Sequence, residues 1–373
     1  MMMKPCRRTV VTAFLLVAVV AAVGFYPATA TPAPSEGSAS KAAKPSVAEQ
    51  PKLLLPPKQL LPPKLSLPID CNPGDTCFVQ SYVDIDPGPD ARDYRCGSAT
   101  YDGHKGVDFR LLSAAATHDG VAILAAADGV VKRMRDGMED VFVTAATKAE
   151  VSQRGCGNSV LIDHGGGWQT LYCHMRKGSL AVRPGNSVQR GQRIGDVGYS
   201  GLAEFAHLHL MVMHDSTVID PESGLGPGAA CSTDDPATGL APLWDATAAK
   251  AFTYHNGEFI GVGFSARQLS PGDLEIDHRI VSPDASSEAL LFYARLINLR
   301  VGDQIRLSVT GPGGFSVNTT SKPIDRNKAT YVAFAGRRLR APKWPSGTYE
   351  GSAELIRGGN IIARSTPAQL KLP

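Results

Sequence analysis

Two histidines separated by a single residue, in Ala206-His207-Leu208-His209-Leu210, are the side chains best placed for chemistry. Successive side chains of a β-strand point to opposite faces, so His207 and His209 share a face between apolar neighbours. That suits a metal centre, or a general base beside one. Taken alone, such a pair suits two hydrogen-bonded interior histidines equally well, so its partners decide. Upstream, His104-Lys105-Gly106-Val107-Asp108 sets an imidazole and a carboxylate four positions apart, and Gly106 permits a tight bend between them. His104, Asp108 and His209 supply two nitrogens and one oxygen. Three protein ligands with one position left for water is the composition of a catalytic zinc site. Seven of the nine histidines fall between His104 and His214, against a scatter of unrelated core residues.

The elements that must hold these residues read as strands. From Cys71 to Cys231 the chain is a series of short β-type runs separated by turn residues. Val121-Ala122-Ile123-Leu124 leads through Asp128-Gly129 to Val130-Val131. Ser159-Val160-Leu161-Ile162, the Gly165-Gly166-Gly167 turn and Trp168-Gln169-Thr170-Leu171-Tyr172 form a hairpin. Helical periodicity is weak apart from a short helix within residues 136–152. Beyond Pro236 cysteine disappears and a second β-rich unit begins, with alternation in Gln304-Ile305-Arg306-Leu307-Ser308-Val309 and turns at Gly311-Pro312-Gly313 and Gly358-Gly359-Asn360. The expected organisation is a signal peptide (1–30), a Pro-rich linker (31–66), a catalytic domain (67–235) and a small immunoglobulin-like β-sandwich (236–373). The fold class is mainly β, with antiparallel sheets.

Lys4, Arg7 and Arg8 precede the apolar run Val10 to Phe25, and Ala28-Thr29-Ala30 offers a cleavage site, the pattern of an export signal. No later segment is long and apolar enough to span a bilayer. Once the signal is removed with Cys6, six cysteines remain, an even set that reads as disulfides in an exported protein. The hairpin brings Cys156 near Cys173, Cys71 and Cys77 close a local loop, and elimination leaves Cys96 with Cys231. The net charge of +3, with no long basic block, gives no reason to expect nucleic-acid binding. Export implies a periplasmic or extracellular protein associated with the cell envelope.

These motifs resemble the lysostaphin-like (LytM) zinc endopeptidases of family M23, which cut peptidoglycan cross-links. Gly103-His104-Lys105-Gly106-Val107-Asp108 looks like the family's His-x-Gly-x-Asp segment, and Val160 to Met175 resembles its hairpin ending in a catalytic histidine. Arg190-Gly191-Gln192-Arg193-Ile194-Gly195, Gly198-Tyr199-Ser200-Gly201 and His207-Leu208-His209 match the run up to His-Leu-His. The resemblance implies that His104, Asp108 and His209 bind one Zn2+ per chain and that His174 and His207 are the unligated catalytic histidines. One of these would be the general base for a zinc-bound water, and the other would serve the oxyanion or the leaving amine. The implied substrates are peptidoglycan stem peptides or cross-bridges, with an envelope protein as partner of the C-terminal domain. Met211, Cys173 and the long segment from Lys132 to Cys156 depart from the family pattern and bear on the groove more than on the metal.

Other chemistries fit less well. Cys173 and His174 adjoin, but neighbours on a strand face opposite sides and form no dyad. Gly-x-Ser-x-Gly and His-Glu-x-x-His are absent. Zinc D,D-carboxypeptidases use a wider His-to-Asp spacing. The rival from another class is a non-catalytic envelope protein of the same fold that binds peptidoglycan or activates an amidase. His164 reads as structural, His118 and His214 as rim residues, and His255 and His278 as incidental.

Overall fold

The computed structural model describes residues 61–231, 242–276 and 279–373. The signal segment, most of the Pro-rich linker and His278 lie outside the described residues.

The first region carries strands β1 (Cys77–Ser81), β2 (Val107–Leu111), β3 (Ala122–Leu124), β4 (Gly129–Arg135), β5 (Asn158–Gly165), β6 (Trp168–Met175), β7 (Ser187–Val188), β8 (Arg193–Asp196), β9 (His207–His214) and β10 (Thr217–Ile219). Eight of them form an antiparallel sheet in the order β1-β2-β9-β6-β5-β4-β7, with β10 also paired to β9, while β3 and β8 pair separately. The strand with both histidines is therefore central, flanked by β2 and β6.

Register follows from alternation. Val107 and Phe109 on β2 stand opposite Leu210 and Leu208 on β9, and all four are buried in the core. Asp108 and Arg110 then fall opposite His209 and His207 on the other face. A slip of one residue would turn the histidines into the core and the leucines out, so the register is strongly specified. Each buried Leu or Phe contributes about 1.5–3 kcal/mol to holding it.

The β5–β6 hairpin turns on Gly165, Gly166 and Gly167, all at positive φ (80°, 58° and 86°), where a side chain would be strained. A short helix, α1 (Lys148–Ser152), lies within the stretch expected to hold one. The core also takes in Leu65 from the N-terminal side and Leu243, Trp244, Ala248 and Phe252 from the C-terminal side. The last group surrounds α2 (Ala246–Ala251), whose N-cap Asp245 accepts from the amides of Thr247 and Ala248. The three disulfides are Cys71–Cys77, Cys96–Cys231 and Cys156–Cys173.

The second region contains β11 (Glu258–Ser265), the short α3 (Pro271–Leu274), β12 (Ala289–Leu299), β13 (Gln304–Gly311), β14 (Phe315–Thr320), β15 (Lys328–Arg338), β16 (Gly347–Arg357), β17 (Asn360–Arg364) and β18 (Ala368–Leu372). A sheet β11-β12-β15 and a sheet β14-β13-β16-β17, with β18 on β16, share one core that includes Phe292, Leu296, Leu307, Val309 and Tyr349. Phe78 and Leu112 of the first region pack against Ile260 and Ile297 of the second. The molecule is mainly β and antiparallel.

Candidate metal centre

Strand pairing puts Asp108 directly opposite His209, and the loop before β2 brings in His104. His104 Nε2 lies 3.2 Å from Asp108 Oδ1 and 3.2 Å from His209 Nδ1, and the last two atoms are 2.9 Å apart. A tetrahedral zinc with ligand bonds near 2.0–2.1 Å has donors about 3.3 Å apart, so the three atoms match one face of such a polyhedron. Among the described residues this is the group of His, Cys, Asp and Glu side chains whose donor atoms converge enough to hold a metal ion. His104 Nδ1 donates to the Tyr82 carbonyl at 2.7 Å, which aims Nε2 at the cluster. Gly106 is required here, since a Cβ would come within 2.6 Å of His209 Nε2 and of the Leu210 carbonyl oxygen.

His174 and His207 flank this cluster, their ring centroids 4.4 Å apart, and His207 Nε2 is 3.7 Å from Asp108 Oδ1. Each is fixed by a backbone acceptor: His174 Nδ1 donates to the Ser200 carbonyl and His207 Nδ1 to that of Phe205, both at 2.8 Å. Both rings therefore keep Nε2 free of a proton. His174 sits at φ 59°, a left-handed conformation that costs a non-glycine residue about 1–3 kcal/mol. Its surroundings hold it there. The His174 amide donates to Cys156 O, the Gly198 amide donates to His174 O, and the adjacent Cys173 is bonded to Cys156. Ser200 accepts from the Asn158 amide and donates to the Met175 carbonyl, which ties the same corner again.

Burial opposes charge on His104, Asp108, His174 and His207 alike. It opposes ionisation of Asp108, but His104 and His207 outweigh it and hold that carboxyl well below the usual range. Burial likewise opposes charge on His104, yet Asp108 leaves its pKa raised. His174 is pushed well below the ordinary histidine value by burial and by its histidine neighbours. His207 is lowered by burial, against the pull of Asp108. The arrangement is a carboxylate held anionic among converging imidazole nitrogens, a set that accepts a cation.

All five residues singled out from the sequence are thus brought together. His164 is buried elsewhere, donating from Nδ1 to the Asp128 carbonyl at 2.7 Å with Nε2 2.8 Å from the Thr170 hydroxyl, as a structural residue should. His214 stacks on Trp168, and His118 and His255 are exposed. The sequence reading passed over Phe205, Ser200 and the Tyr82 carbonyl, which orient the imidazoles, and Arg110. Arg110 left a legible signal: a charged residue between Phe109 and Leu111, on the same strand face as Asp108.

Residues 102–221 match the family model for Peptidase family M23. An uncharacterized metalloprotease of Haemophilus influenzae is 31% identical over 127 residues, 34% of this chain and 22% of that protein. The peptidoglycan DD-endopeptidase ShyA of Vibrio cholerae is 45% identical over 53 residues, 14% of this chain and 12% of that protein. The chain thus spans less than a quarter of the length of these curated relatives. Among solved structures, the catalytic domain of lysostaphin from Staphylococcus simulans is 23% identical with a TM-score of 0.25, covering 38% of this chain and 85% of that one. The segment 102–221, which carries all five of these histidine and aspartate side chains, is thus similar to peptidase family M23.

Proposed function

We propose that the protein is a zinc-dependent endopeptidase that hydrolyses peptide cross-links of bacterial peptidoglycan in the cell envelope. The observation that carries this reading is the convergence of His104 Nε2, Asp108 Oδ1 and His209 Nδ1 beside two further histidines whose Nε2 atoms are free. The substrate class is supported by ShyA, a peptidoglycan DD-endopeptidase by name. The exported location is supported by the N-terminal segment and by three disulfides.

His104, Asp108 and His209 would hold the metal. Zinc bound there supplies a Lewis acid and lowers the pKa of water from 15.7 towards about 7. His174 and His207 do the proton work. Backbone carbonyls keep the proton of each ring on Nδ1, and burial lowers both pKa values, so each ring rests as a base with its Nε2 lone pair available. Two imidazolium ions with centroids 4.4 Å apart would repel, so the pair carries one proton at a time. The ring that takes the proton becomes an Nε2–H donor, able to stabilise the oxyanion and then protonate the leaving amine.

Purified protein is expected to hold about one zinc per chain and to release cross-linked peptides from sacculi, with mass analysis of defined muropeptides identifying the bond. His209→Ala should lose both metal and cleavage. Zinc retained without cleavage in the wild type would favour a non-catalytic envelope regulator instead.

A further inference from the structure

Arg110 is fully buried on the face of β2 that carries Asp108, opposite His207 in the strand register. Nη1 donates to Gln80 Oε1 at 2.6 Å, Nη2 to Glu275 Oε1 at 2.7 Å and Nε to the Leu111 carbonyl at 3.3 Å. The guanidinium carbon also lies 4.5 Å from the centroid of the Phe205 ring. Phe205 touches His207 in two ways. Its ring is 4.4 Å from the imidazole, and its carbonyl accepts the Nδ1 proton at 2.8 Å.

Glu275 follows α3 in the second region, and its Oε1 also accepts from Arg295 of β12. Arg295 Nη1 reaches back to the Leu112 carbonyl, the Ala114 amide donates to the Glu275 carbonyl, and Asn298 donates to the Gln80 carbonyl. Arg110, Glu275 and Arg295 are all buried, 0–5% exposed. A buried ion triad is a poor device for stability alone, because apolar residues of the same volume do as well or better. What a planar guanidinium held by three acceptors supplies is a fixed position. Here that position is against Phe205, whose ring lies tilted against His207 and whose carbonyl accepts the hydrogen bond from its Nδ1.

We propose that Arg110 is a positioning residue for His207 and that Glu275 sets it from the second region, so that His207 adopts its working orientation only while that region is docked. The proposal rests on the reading of His207 as a proton-transfer residue. Arg110 touches no reacting atom; it acts through Phe205.

The test compares zinc-loaded full-length wild type with Glu275→Gln, Arg110→Lys and Phe205→Leu on a defined cross-linked muropeptide. Each variant is expected to lower kcat by about ten- to a hundredfold, the scale of a small misplacement of a catalytic group. KM and zinc content should stay within about twofold, because the three metal ligands are untouched. Phe205→Leu keeps the ion triad whole, so it reads the relay even if Glu275→Gln folds poorly. The 15N and 1H resonances of the His207 ring should move in every variant that folds, while those of His164 stay in place. A loss of kcat that only tracks the folded fraction, with His207 resonances unmoved, would overturn the proposal and leave the triad as a dock. Zinc-loaded wild type that cleaves nothing would sink the functional reading instead. The His207 resonances then decide alone: movement in Arg110→Lys, which keeps the Phe205 ring, upholds positioning, and none overturns it.

Discussion

Asp108 in the first region and Glu275 in the second are both carboxylates buried among nitrogen donors, but their neighbours differ in kind. Glu275 Oε1 accepts from Arg110 and Arg295, whose charges are permanent, so that cluster carries its own cations. Asp108 faces His104, His207 and His209, imidazoles that are cationic only when protonated. Burial holds His207 towards the neutral form. The Glu275 cluster is closed and the Asp108 cluster is short of positive charge. Burial lowers the pKa of His104, yet Asp108 leaves it raised. A divalent ion would compete with protons for the same nitrogens, so metal binding there should release protons. The same buried carboxylate chemistry thus gives a rivet in one place and a receptor in the other.

The contrast can be broken by removing each carboxylate. Asp108→Ala should lose the metal, and with it roughly a thousandfold or more of peptidase activity, since a Lewis acid contributes several kcal/mol of charge stabilisation. Bound zinc and turnover measured together check this. Glu275→Ala should cost about 3–5 kcal/mol in denaturant unfolding, because two arginines remain buried without a counter-ion. If Asp108→Ala kept its zinc and lost stability instead, the two clusters would be the same device.

Gly106→Ala sharpens the receptor side. A Cβ 2.6 Å from His209 Nε2 and from the Leu210 carbonyl must displace a ligand ring or the strand behind it. Metal affinity measured by chelator competition should fall about 10–100-fold, the usual effect of disturbing what supports a ligand, with far-ultraviolet circular dichroism unchanged.

The smallest effect concerns buried carboxylates with neither arrangement. Burial raises Asp220 to about 7, and burial with Asp220 nearby raises Glu222 to about 8. Both take up protons on folding. Their contribution to stability is therefore full below the unfolded value near 4 and is lost as pH rises through about 8. Asp220→Asn should flatten the stability–pH profile between about pH 4 and pH 8, read by urea unfolding at a series of pH values.

Much of the candidate site was legible because its geometry is local. His207 and His209 share a face by strand periodicity alone, and Gly106 between His104 and Asp108 marks a close approach. The Cys156–Cys173 pairing followed from a hairpin turned on three glycines. What supports the imidazoles was not legible. Tyr82, Ser200 and Phe205 act through backbone carbonyls, and every residue has one, so residue type gives no sign of the role. The left-handed backbone at His174 is equally silent, because it is imposed by Cys156, Gly198 and the disulfide rather than by histidine itself. Wrapping of the first core by Leu65 and by the segment around Trp244 also depends on contacts far apart in the chain.

By itself, then, the sequence determined several of the strands, the face that His207 and His209 share and the candidate donors, since these depend on spacing along one or two segments. Only the tertiary structure decided that Asp108 meets three imidazoles at hydrogen-bond range or close to it and that both flanking histidines hold their protons on Nδ1. It also decided that Glu275 lies 2.7 Å from Arg110, across 165 positions of chain. Burial and a partner's position are properties of the packed molecule, and they set which buried carboxylate already has its cations and which lacks them.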